Sequence, residues 1–210
     1  MAGIGVRLNR IFEKNTLTTN LVGFFYSTVV TVAPMFVIII NLILMEYLLD
    51  FASVGYVTRE LFSCTILYTF IFSLLTASPF NAVLSRYMSD VIYEERYQDI
   101  LPCYHIGMLL NIGLSCLLGI PFCLWEHFVG KVPTAYVFCG FCGYISLVLV
   151  FYSMIYLSIC KDYQRISQYF FFGMLVAFVL ALILHFILKW ETTWSMLFSL
   201  TIGFFVTATL

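Results

Sequence analysis

Charged side chains are scarce in this chain. Lys and Arg number 10 and Asp and Glu 11 among 210 residues, 10% in all, against about 25% in a soluble domain. So few charges cannot coat a water-soluble globule. A disordered segment needs the opposite balance, low hydrophobicity with high net charge. The formal net charge of −1 leaves no broad cationic face for phosphates, which excludes a basic nucleic-acid binder. Alternation is missing as well: a membrane β-barrel needs apolar and polar residues alternating over segments of about ten residues, and here the apolar runs are long. Catalytic signatures are missing too. The chain has no G-x-S-x-G, Walker A, HExxH or Rossmann motif. It is therefore expected not to be an enzyme or an ATPase, with no catalytic residue, cofactor or metal. Energy for any transport would come from an ion gradient, a partner or synthesis of the substrate.

The seven cysteines (Cys64, Cys103, Cys116, Cys123, Cys139, Cys142 and Cys160) are odd in number and lie in or at the ends of apolar runs. That pattern is not a disulfide framework. Cys139-Gly-Phe-Cys142 has metal-ligand spacing but no second pair and no nearby His, so packing is the simpler role.

What the chain does have is hydrophobicity: 62% of residues are apolar and 19% aromatic. About 20 apolar residues cross a ~30 Å hydrocarbon core. Six segments reach or approach that length, at 21–49, 61–85, 100–125, 132–160, 166–188 and 194–210. The expected fold is an all-α polytopic bundle of six transmembrane helices. Pro34 is the natural kink in the overlong first span. The sixth span lacks a polar flank, so the chain is expected to be a fragment cut inside or just after that helix.

Residues 1–20 are no cleavable signal peptide, because the apolar run behind them is too long. Ile4, Leu8, Ile11 and Phe12 share a helical face, with Arg7, Arg10 and Lys14 off it. This reads as an amphipathic segment on the cytoplasmic leaflet, or else a frayed basic terminus. Lys and Arg divide seven against three between the two sides, the seven lying with the N-terminus, which is therefore expected to be cytoplasmic. Trp125, Trp190 and Trp194 then share the opposite interface, where such rings prefer to sit.

Ionisable residues at depth usually mark function in a membrane. Glu46, His105 and His185 lie close enough to span ends to snorkel; Glu46 is the best of them as an ion or substrate contact. In the third span Cys103, Gly107, Asn111, Ser115 and Gly119 recur every four residues. In the first, Ser27, Thr31, Pro34 and Asn41 share a face. In the fourth, Ala135, Cys139 and Gly143 form a row of small residues. Such stripes serve helix packing. The functional alternative is that Thr31, Pro34, Asn41, Glu46, Asn111 and Ser115 belong to a hydrated translocation path, as in transporters with Pro-broken helices. Near the end of the second span, Ser78 or Asn81 could satisfy the carbonyl freed by Pro79. A charged stretch follows: Arg86, Tyr87, Asp90, Tyr93, Glu94, Glu95, Arg96 and Asp99. It is either a solvated loop or a cytoplasmic docking or gating loop.

Two segments resemble a known family. The opening Met1-Ala-Gly-Ile-Gly, with the basic helix and Pro34-containing span behind it, is similar to the start of PelG, the multi-spanning subunit of the Pel exopolysaccharide system. The more specific match is the second helix ending and its loop, carried by Arg86, Tyr87, Ser89, Asp90, Tyr93, Tyr97, Ile100, Leu101 and Pro102. It covers about the first half of such a protein. The resemblance implies a polysaccharide-flippase-like member of the MOP exporter superfamily, with the present chain as the N-terminal six-helix lobe. It also implies residence in the bacterial cytoplasmic membrane, contact with lipid, a polysaccharide substrate, and association with a cytosolic glycosyltransferase and other Pel-type membrane subunits. Two alternatives stand beside it. One is another exporter of that superfamily, for lipid-linked oligosaccharide or drug. The other is a membrane scaffold that recruits a cytosolic glycosyltransferase and moves nothing.

Overall fold

A computed structural model describes the backbone of residues 17–159 and 163–210, and the side chains of 32–91, 93–96, 98–157 and 165–210. The expected amphipathic segment falls largely outside these residues. The described chain forms six α-helices and no strand: α1 (Leu17–Leu48), α2 (Tyr56–Tyr93), α3 (Ile100–Phe128), α4 (Thr134–Ile159), α5 (Tyr163–Phe186) and α6 (Thr192–Thr209), with 3-10 turns at Phe51–Ser53 and Tyr97–Asp99. The all-α class follows from the solvent. In hydrocarbon every backbone N–H and C=O must be satisfied within its own segment. Five helices, α2 to α6, are long and apolar enough to cross a membrane, and the stretch of α1 whose side chains are described, Val32–Leu48, is apolar too. Their outward faces carry Met35, Phe36, Ile40, Leu109 and Leu117, all exposed, a surface that acyl chains cover and water does not.

α4 and α6 form the centre. They bury 44% and 50% of their spans, whereas α3 buries 17%. α1 packs on α5, α5 on α6, α6 on α4, and both α2 and α3 flank the far side of α4. The α5–α6 seam is the closest approach. Gly173, Ala177 and Ala181 meet Ser199, Gly203 and Thr207, each set spaced by four residues and all buried. A methyl added at Gly173 would lie 2.8 Å from the Gly203 carbonyl oxygen. Small residues at such spacing let two backbones touch.

The stripe on α3 packs against α4. A methyl on Gly107 would collide with the Tyr152 hydroxyl, and one on Gly119 would lie 2.7 Å from the Phe141 ring. The small row on α4 turns instead to α6, where Cys139 Sγ lies 3.5 Å from Thr201 Oγ1.

One expected loop is helix. α2 continues through Pro79 to Tyr93, so Arg86, Tyr87, Asp90 and Tyr93 are helical rather than part of a loop that starts at residue 86. The cause is apolar spacing beneath the charges. Leu84, Met88 and Val91, at i, i+4 and i+7, are all buried, and the first two pack with Tyr152. The chain leaves the helix only at Glu94–Arg96. There, as at three other helix ends, a charged non-glycine residue takes the left-handed conformation: Asp50, Glu95, Lys131 and Lys189 have φ of 49°, 58°, 54° and 54°.

Candidate functional site

A cleft of about 310 Å³ opens between α2, α3 and α4. Its wall on α2 runs from Leu61 to Phe72, roughly 16 Å at 1.5 Å per residue, about half the hydrocarbon depth. The lining alternates ring faces with hydroxyls. Tyr68 and Phe72 face Phe122, with ring centroids 6.3 Å and 5.4 Å apart. Tyr136, Phe141 and Tyr144 complete the wall on α4, and Thr65 and Thr69 add hydroxyls from α2. Glu126, on the last turn of α3, is the one charged residue in the lining.

Helix geometry explains this arrangement. On α4, Tyr136, Gly140 and Tyr144 are four residues apart and stack along one ridge. Gly119 leaves the space into which Phe141 and Tyr144 reach. The floor is closed by Thr76 Oγ1 and the Tyr144 hydroxyl, 2.8 Å apart. The Tyr136 hydroxyl is buried on the Thr65 side of the cleft; its ring meets Trp194 edge-on at 5.4 Å.

The expected path residues are not gathered at this cleft. Asn41 lies on the α1 stripe with Ile38, Met45 and Leu49, all turned inward, and its Nδ2 donates to the Met174 carbonyl of α5 at 2.8 Å. Pro34 is buried on the same helix. Thr31 is helical, and its side chain falls outside the described ones. Glu46 is exposed on the outer side of α1. Asn111 and Ser115 are fully buried on α3, with Ser115 Oγ donating to the Asn111 carbonyl at 2.7 Å. α1 and α3 share no packed interface. Asn41 and Asn111 therefore belong to separate helix contacts, because α4, α5 and α6 intervene. Both amide atoms of Asn111 lack partners among the described residues, as does Asn41 Oδ1.

Neither side chain expected to meet the carbonyl freed by Pro79 is seen bonding it. Asn81 Nδ2 points across to the Phe151 carbonyl of α4, 3.5 Å away, and Ser78 is exposed.

The charged stretch forms one surface. Arg86, Asp90 and Tyr93 follow i, i+4, i+7 on the exposed side of α2, opposite Leu84, Met88 and Val91. Tyr93 is 90% exposed. In the turn, Arg96 Nε donates to Glu94 Oε2 at 2.7 Å and an η nitrogen reaches Asp99 Oδ2 at 3.4 Å. The Glu94 carboxylate, aided by Asp99, holds the exposed Arg96 guanidinium above its ordinary pKa. Glu95 has no ion pair among the described residues.

No group of three or more His, Cys, Asp or Glu among the described residues could hold a metal ion. The cleft itself was not legible beforehand. The abundance of Phe and Tyr permits an aromatic-lined path for a sugar polymer without saying which rings line it, and the row Tyr136, Gly140, Tyr144 is the signal that points to this wall.

The family model described as PelG, putative exopolysaccharide exporter (EPS-E), matches residues 1–210. No curated protein and no solved structure matches the chain.

Proposed function

The chain belongs to this exopolysaccharide-exporter family, and from that premise we propose that it guides a sugar polymer across the bacterial cytoplasmic membrane along the α2–α3–α4 cleft. The observation that carries this reading is the lining. A pyranose offers an apolar C–H face and an edge of hydroxyls. Tyr68, Phe72, Phe122 and Tyr144 offer ring faces to the first, and the Thr65 and Thr69 hydroxyls with the Glu126 carboxylate offer polar atoms to the second. The volume is at the low end for a small-molecule site, so it would hold a short stretch of chain and not a folded polymer.

The finer assignment is to Pel-type export, with the N-terminus cytoplasmic, as the Lys and Arg asymmetry favours. The six helices would serve as one lobe of a flippase-like transporter. The exposed α2 face and its turn, from Arg86 to Asp99, would seat a cytosolic glycosyltransferase. Pro34, Asn41 and Glu46 lie away from the cleft and are assigned to helix packing or the lipid interface.

The test is secretion by cells carrying the protein in its native system. Tyr68→Ala with Thr69→Val should lower secreted polymer by about tenfold or more, the order expected when several contacts of 1 kcal/mol or so are lost, with unchanged protein in the membrane. Undiminished secretion would remove the cleft from the route. Arg86→Glu with Arg96→Glu should release the glycosyltransferase in a pull-down; a retained partner would move docking elsewhere.

A further inference from the structure

We propose that α3 is the moving wall of the cleft, pinned to α4 at its inner half and free at its outer half, and that its swing uncovers the Asn111 amide to the passing sugar chain. The inference rests on the cleft being the route of the polymer.

The two halves of α3 are held differently. Near the start of the helix, the Tyr104 hydroxyl lies 2.7 Å from Ser153 Oγ, and the Tyr152 hydroxyl donates to the Tyr104 carbonyl at 3.1 Å. The Tyr104 and Tyr152 rings stack at 5.3 Å. Farther out, none of the described side-chain hydrogen bonds joins residues 112–125 to α2 or α4; that half meets its neighbours through apolar contacts such as Phe122 on Tyr68 and Phe72. Apolar contacts slide at little cost, whereas buried hydrogen bonds break at the cost of two unsatisfied groups.

The free half is itself weakened at two points. Gly113 has open space around it and contributes only backbone freedom. Pro121 has no N–H, so the Leu117 carbonyl lacks its helical partner. α4, the opposite wall, has no internal proline and is backed by α6.

Asn111 supplies the independent sign. It lies on the same four-residue ridge as Gly119 of the cleft, about 12 Å deeper. It has 0% exposure, and neither Nδ2 nor Oδ1 has a partner. An amide acting as helix glue would need a partner atom on the facing helix. Left bare in hydrocarbon it is costly. A sugar hydroxyl both donates and accepts, so one hydroxyl edge can satisfy both amide atoms at once.

The test uses the whole protein in membranes, in a cysteine-free variant that still secretes polymer. Thr69→Cys and Asn111→Cys are each added singly, and a membrane-impermeant maleimide is applied from the side of the cleft mouth. Thr69→Cys should label quickly and Asn111→Cys more slowly. Adding Gly113→Ala and Pro121→Ala together should slow labelling at Asn111→Cys by about tenfold and change Thr69→Cys by less than about twofold, because only the deep site needs the helix to bend. Unlabelled Asn111→Cys beside labelled Thr69→Cys overturns the moving wall and leaves the route standing. Equal labelling with and without the two alanines also overturns it. If Thr69→Cys itself stays unlabelled, the cleft reading fails first.

Discussion

Thr76 and Tyr144 join α2 to α4 through a 2.8 Å contact between their hydroxyls at the floor of the cleft. Thr76 also bonds the Phe72 carbonyl, at 2.8 Å, so the threonine is held in place and the tyrosine completes the link. In a bilayer the Tyr144 hydroxyl would otherwise stand bare. Thr76→Val or Tyr144→Phe should cost about 1–2 kcal/mol, and a double-mutant cycle should return a coupling of about 0.6–1.7 kcal/mol. Reversible unfolding in mixed micelles measures both, and additive single effects would deny the pair any energetic role.

The α5–α6 seam predicts a sharp contrast between glycines. Gly203→Val places a branched side chain where even a methyl would lie 2.6 Å from Ala177 Cβ. It should destabilise by several kcal/mol, at or above the usual overpacking range of about 1–3 kcal/mol, and deplete the protein from the membrane. Gly55→Ala, with nothing within 4 Å, should leave the amount of protein unchanged. Quantitative immunoblotting of membranes with a melt in detergent separates the two.

On the extension of α2, burial and charge should separate cleanly. Met88→Ala removes a side chain with 0% exposure and should cost about 2–5 kcal/mol, with faster amide exchange over residues 84–93. Asp90→Lys, on the exposed side, should shift stability by no more than about 0.5 kcal/mol. If Asp90→Lys unfolds the extension as Met88→Ala does, the exposed face is structural and not a contact surface.

Asn41 offers a simpler test. Its Nδ2 gives the Met174 carbonyl, already inside helix α5, a second hydrogen bond at 2.8 Å, which Asn41→Leu removes. The expected loss is about 0.5–1.5 kcal/mol of stability, with export per folded molecule unchanged. A fall in export at full stability would return Asn41 to the translocation path.

Composition made the fold class legible, because a chain this poor in charge has only hydrocarbon as a possible solvent. Helix partners were not legible. The stripe on α3 showed that something would pack there, but not that Tyr152 and Phe141 would fill the spaces over Gly107 and Gly119. Asn41 and Asn111 look alike by depth and residue type, and they part company only because α1 chooses α5 while α3 chooses α4. The helical extension beyond Ser85 was hidden by its charges; the spacing of Leu84, Met88 and Val91 was present in the sequence and outweighed them. The cleft residues were the least visible, since a tyrosine facing lipid and a tyrosine facing a cavity are written with the same letter.

The 38 residues of α2 span about 57 Å, nearly twice the thickness of the hydrocarbon core. One helix thus carries both a wall of the cleft, through Tyr68 and Phe72, and the exposed surface at Tyr93. Were a cytosolic enzyme seated at Tyr93, as proposed, its grip and the groove would lie on a single continuous element, separated only by the turn of helix that Pro79 weakens.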